Sequence, residues 1–181
     1  SGRVVDYYGG LADLRAGLIR VLHSLSFVDD PTRILRAVRF ERRLGFTIEP
    51  RTMQLIETAL PMLRRITGER IRNELALLLA ESDAASGFLL MQARGILEAI
   101  DPAFVVPENL EERFGRVQIP PPWGMPTPEV SDLRWCLMLA SLPAEAATAL
   151  AERLHFSKAL SDALVAVAKL VQEPPPAHAT P

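Results

Sequence analysis

The sequence is short of several things, and each shortage excludes something. It has one cysteine in 181 residues, Cys136, so no internal disulfide can form. Set in Leu-Arg-Trp-Cys-Leu-Met-Leu, that cysteine reads as a small buried hydrophobe. There is no secretory signal and no apolar run of roughly 18 residues, which points to a cytoplasmic chain with no membrane partner. Gly9-Gly10 is followed by neither Gly-x-Gly-x-x-Gly nor Gly-Lys-Ser/Thr, so it is a turn and not a phosphate loop. His23, His155 and His178 are too far apart in sequence to suggest a metal site. No Asp-x-Asp occurs, and no unit recurs at a period of 20–50 residues. Aromatics make up 6% of the chain.

What is present is a globular composition, 49% hydrophobic against 23% charged. The length suits one or two domains with a real core. The net charge of -2 argues against general nucleic-acid binding. Its distribution is uneven. Residues 1–73 hold 13 arginines and 8 acids, whereas residues 74–181 hold 7 basic residues and 14 acids. A basic first part fits a local phosphate-binding surface.

The stretch from Asp29 to Phe46 carries the strongest pattern. Asp29 or Asp30 can cap a helix, Pro31 suits its first position, and Gly45 stops it. At about 100° per residue Ile34, Leu35 and Val38 share one side. Arg33, Arg36, Arg39 and Arg43 line another, with Phe40 among them. Such a row is commonly a solvated face. Here Glu41 is its only acid between Asp30 and Glu49, and unpaired guanidiniums on one face repel each other unless an anion is expected.

Around it the pattern predicts a mainly α-helical chain with a short α/β piece at the start. Val4–Asp6 and Ile19–Leu22 read as short strands flanking a helix over Leu11–Ala16, with Asp6 and Asp13 structural. His23–Val28 reads as a linker. Further helices are expected at Pro50–Leu63, Glu69–Glu81, Ala84–Arg94, Leu110–Gly115, Pro128–Leu142, Ala144–Leu154 and Ser157–Val171. Thr67 caps the Glu69–Glu81 helix in a near miss to a capping box. Arg70 then falls in its first turn, a poor place for a cation near the helix dipole, which points to an external carboxylate or phosphate partner, with a salt bridge to a neighbouring helix as the alternative. Trp123, in a Pro-rich loop, is read as clamping that loop onto the body, with stacking on a base as the alternative.

The run Asp29-Asp30-Pro31-Thr32-Arg33-Ile34-Leu35-Arg36-Ala37-Val38-Arg39-Phe40, with Arg43-Leu44-Gly45-Phe46 after it, resembles the nucleotide-recognition motif of the class II nucleotidyltransferases. These are the CCA-adding tRNA nucleotidyltransferases and their bacterial poly(A) polymerase relatives. Asp6-Tyr7-Tyr8-Gly9-Gly10-Leu11-Ala12-Asp13-Leu14 with Leu18-Ile19-Arg20 resembles the segment closing the catalytic head. Gly68-Glu69-Arg70-Ile71 with Glu74-Leu75 resembles a later helix bracing the nucleotide pocket. The three lie in the family's order, over about residues 3–81.

The resemblance implies metal-dependent transfer of CMP or AMP to an RNA 3′ end. The Mg ions would be held by an Asp-x-Asp pair in the head, not by this stretch. Asp29 and Asp30 are adjacent and on a helix point about 100° apart, a poor two-metal clamp. The expectation is a piece that lacks the head and is inactive alone: residues 1–28 a head remnant, 29–81 a neck, 82–172 a helical body, 173–181 a disordered tail. Asp30 and Arg33, three residues apart, would form an acceptor–donor pair matched to the amino group and ring nitrogen of cytosine or adenine. Uracil and guanine place a carbonyl where the carboxylate needs an amino group. Arg36 and Arg39 would face the triphosphate or the RNA end. Asp29 would take over if capping occupies Asp30. Arg43, Arg70 and Glu74 would support the site. The expected partners are ATP, CTP, the 3′ end of tRNA or another RNA, and the head. The family often has Glu where Asp29 stands, and the motif does not separate CCA, A and poly(A) addition. The rivals are a non-catalytic helical RNA-binding or scaffolding module and, more weakly, a helix-turn-helix DNA binder, whose base-reading Asn or Gln are lacking.

Overall fold

The computed structural model describes residues 5–117 and 129–172. They form eleven α-helices, one 3-10 helix and a two-stranded sheet. The first part runs α1 (Gly10–Ala16), β1 (Leu18–Ile19), α2 (Ser26–Asp29), α3 (Thr32–Leu44), β2 (Thr47–Ile48), α4 (Pro50–Ala59), the 3-10 helix (Leu60–Arg65) and α5 (Gly68–Leu79). The rest is α6 (Ala84–Ala93), α7 (Ile96–Ile100), α8 (Leu110–Gly115), α9 (Val130–Leu139), α10 (Ala144–Arg153) and α11 (Lys158–Gln172). The mainly helical expectation holds.

α3 forms as its pattern dictates. Ile34, Leu35 and Val38 are all at most 1% exposed, facing Leu75, Leu78 and Leu79 of α5 across a shared core. Gly45 ends the helix at φ 64°, a left-handed conformation that glycine adopts without a Cβ penalty. β1 and β2 pair in parallel, Leu18 with Thr47 and Ile19 with Ile48, and so tie the start of the chain to the exit of α3. One hydrophobic cluster runs from Phe27 to Leu164. Its second half centres on Trp135, whose ring lies 6.1 Å from Phe88 and 4.9 Å from Phe156 between centroids. Cys136 is partly buried beside it, and burial pushes its thiol above the ordinary value, with Asp132 adding to the shift.

Several local expectations are corrected. Val5 and Asp6 are not in a strand. The carboxylate of Asp6 instead accepts the backbone N–H groups of Gly10 and Leu11 and caps α1. The linker after β1 contains α2. The helix from Pro50 ends at Ala59 and tightens into the 3-10 turn, where Pro61 removes a backbone donor. Thr67 holds the N-cap position of α5 without a side-chain bond. Gly95 stops α6 as its φ of 68° requires, but α7 starts directly after it. Trp123 and residues 173–181 lie outside the described residues.

Candidate nucleotide-recognition site

The site is built where α2, α3 and α5 meet. Asp30 ends α2 in extended backbone, and Pro31 turns the chain into α3. Oδ1 of Asp30 accepts three hydrogen bonds: from Thr32 N at 3.1 Å, from Thr32 Oγ1 at 2.6 Å and from Arg70 Nη2 at 2.8 Å. Oδ2 accepts none among the described residues. Partial burial by itself would raise the carboxyl's pKa. The two Thr32 bonds and the charges of Arg70 and Arg33 outweigh it and hold the group below its ordinary value. Asp30 is therefore a fixed carboxylate with one oxygen committed and the other available.

Arg33 lies one turn along. Its Nη1 donates to Ser26 Oγ at 2.8 Å and to Ser26 O at 3.2 Å, which fixes the guanidinium beside Asp30. Asp29 is exposed at the end of α2, with its Oδ2 3.9 Å from His23 Nε2. Arg70 pairs with Asp30 of this same chain, so the internal salt bridge holds in place of an external partner. A cleft bounded by Val28, Pro31, Met62 and Ile66, with Arg65 and Arg70 at its edge, opens beside the pair.

The arginine row is not unpaired. Glu74 on α5 and Glu81 just beyond it supply the missing acids. Arg36 Nε lies 3.9 Å from Glu74, and Arg39 lies 4.0 Å from Glu74 and 3.6 Å from Glu81. Arg43 lies 3.8 Å from Glu81. Arg39 is 8% exposed, stacks over Phe40 and faces the acids, not solvent. Its Nε and Glu74 Oε2 are buried without hydrogen-bond partners. Arg36 keeps nearly half its side chain in solvent. Arg42 turns away to Asp83, and Glu41 pairs with Arg94 just past α6.

Sequence reasoning missed Ser26, Thr32 and Glu81. Thr32 had a signal, since a threonine two residues after an aspartate is a common side-chain turn. Glu81 had one too: Glu74 and Glu81 are seven residues apart, as are Arg36 and Arg43, so two helices in contact can match them turn for turn.

Among the described residues no three of His, Cys, Asp and Glu converge to hold a metal ion.

The family described as "Probable RNA and SrmB-binding site of polymerase A" matches residues 45–105. The A-adding tRNA nucleotidyltransferase of Geobacter sulfurreducens is 46% identical over 110 residues, which cover 60% of this chain and 12% of that protein. The structure of the Thermotoga maritima CCA-adding enzyme complexed with tRNA superposes with a TM-score of 0.75 at 32% identity, over 92% of this chain and 42% of the other. That of a CCA-adding enzyme with ATP gives 0.76 at 32% identity, over 92% and 41%. Over these stretches the chain is similar to the class II tRNA nucleotidyltransferases and their poly(A) polymerase relatives.

It spans less than half the length of these three relatives. The matched residues 45–105 include α5, which carries Arg70 and Glu74 to α3, whereas Asp30 and Arg33 precede the matched stretch. No helix among the described residues is long and apolar enough to cross a membrane.

Proposed function

We propose that this chain is the nucleotide-selecting and tRNA-contacting part of a template-independent RNA nucleotidyltransferase that adds CMP or AMP to RNA 3′ ends in the cytoplasm. The observation that carries the reading is the asymmetry of Asp30. Oδ1 is held by Thr32 and Arg70, while Oδ2 is left to accept from an incoming base. An amino group, N4 of cytosine or N6 of adenine, donates to that oxygen. Arg33, steadied on Ser26, donates to the adjacent ring nitrogen. A carbonyl at the amino position meets a fixed negative charge and is rejected, because an unpaired buried acceptor costs about 1–3 kcal/mol.

Capping occupies one oxygen of Asp30 only, so Asp30 stays ahead of Asp29 as the base reader. Arg36, partly in solvent, is suited to a phosphate of the nucleotide or the RNA. Arg39, Arg43 and Glu74 act by holding α3 on α5. Residues 29–81 serve as neck and 82–172 as body, following a head remnant at residues 1–28. The two metal-binding carboxylates and their magnesium belong to other residues of a longer polypeptide.

The test is nucleotide incorporation by the full-length polypeptide on tRNA lacking its 3′ end, with each of the four nucleoside triphosphates. Asp30→Ala and Arg33→Ala are expected to lower the preference for CTP and ATP over UTP and GTP by at least about tenfold, the size of one lost discriminating contact. RNA binding that ignores both substitutions, with no incorporation by the unaltered protein, would instead identify a non-catalytic RNA-binding module.

A further inference from the structure

The Asp30–Arg70 contact depends on where α5 begins, and α5 does not secure its own start. Thr67 makes no capping bond. The turn before it is held from far along the chain. Arg153, at the end of α10, donates from Nη2 to Ile66 O at 3.1 Å and to Leu63 O at 3.3 Å. Arg72 reaches back from α5 and donates to the carbonyl of His155. Between these ties Gly68 is pressed against the same segment. A Cβ there would overlap the Arg153 carbonyl oxygen, 2.8 Å from its carbon and 3.0 Å from Leu154 Cα. Arg70 lies between Gly68 and Arg72, on the clamped turn.

We propose that Arg153 is a positioning residue for nucleotide choice: by holding the carbonyls of Leu63 and Ile66, it sets where Arg70 meets Asp30 and so how Oδ2 is presented to the base. The α10–α11 corner acts on the site through this turn, touching neither base nor phosphate. The inference rests on Asp30 being the base reader. It assigns a selectivity role to an arginine 120 residues or more from the recognition helix motif at Asp30 and Arg33.

The test compares incorporation of CMP and UMP by the full-length polypeptide carrying Arg153→Met, Arg153→Lys, Arg70→Ala, or Arg70→Ala with Arg153→Met. Arg153→Met is expected to lower the CTP-over-UTP preference about tenfold, as expected when a charge-assisted contact elsewhere is mispositioned. Arg153→Lys should recover part of it. The double variant should fall no lower than Arg70→Ala, because both act on one contact. A fall in melting temperature or turnover with the preference unchanged overturns the inference and leaves Arg153 as structural. If Arg70→Ala and Asp30→Ala also leave the preference unchanged, the reading of Asp30 itself fails. Should Arg153→Met not fold, Arg72→Gln removes the other tie and carries the same two outcomes.

Discussion

A single carboxylate illustrates how much one residue can be asked to do. Asp30 closes α2, starts α3 through Thr32 and anchors α5 through Arg70. Its pKa is depressed in the folded protein. The stabilisation that follows is fully present above the unfolded carboxyl's range, about pH 4, and is lost as pH falls through the lower folded value. Asp30→Asn should therefore destabilise the protein at neutral pH, and the gap in urea midpoint from wild type should narrow as pH falls below about 4. A gap that stays constant with pH would show that the Asp30 charge contributes nothing to folding. The motif Asp30-Pro31-Thr32-Arg33 made this residue legible in the sequence. Its division into a committed and an available oxygen was not, because that depends on Arg70, forty residues away.

At the scale of elements, α3 and α5 share an apolar core and a ladder of opposite charges. The core stripe of each was readable from helical periodicity alone. The ladder was not: the acids facing Arg36, Arg39 and Arg43 lie on another helix, and local sequence shows only the excess of arginine. Because Arg39 is buried and its contacts to Glu74 and Glu81 are longer than hydrogen bonds, it depends on both acids. Glu74→Gln leaves that cation with one distant partner, and removing one member of such a pair costs about 3 kcal/mol. Urea unfolding of the full-length polypeptide should show a loss of that order, against well under 1 kcal/mol for Glu57→Gln on the exposed face of α4. Short elements escaped for a different reason. α2 and α7 have four and five residues, too few for a period to register.

Across the whole molecule, one core joins the basic first part to the acidic remainder. Arginines bridge the two by donating to backbone carbonyls: Arg153 to Leu63 and Ile66, and Arg72 to His155. No sequence pattern announces a side chain aimed at a distant carbonyl, so the corner that fixes α5 could be found only in three dimensions. Trp135 anchors the second half of the core. Trp135→Ala should cost about 3–5 kcal/mol, and a cooperative loss would lower the urea midpoint of the α3–α5 region along with that of α9–α11. Separate transitions for the two halves would contradict a continuous core.

The most direct test is Asp30→Asn in the full-length polypeptide, scored by UMP against CMP added to tRNA. The amide oxygen can keep the bond to Thr32, while the amide N–H₂ replaces the accepting Oδ2 with a donor. The proposed role predicts that UTP, with a carbonyl at that position, gains on CTP by about tenfold or more. UTP excluded as firmly as in the wild type, with CMP addition intact, would show that Asp30 does not read the base.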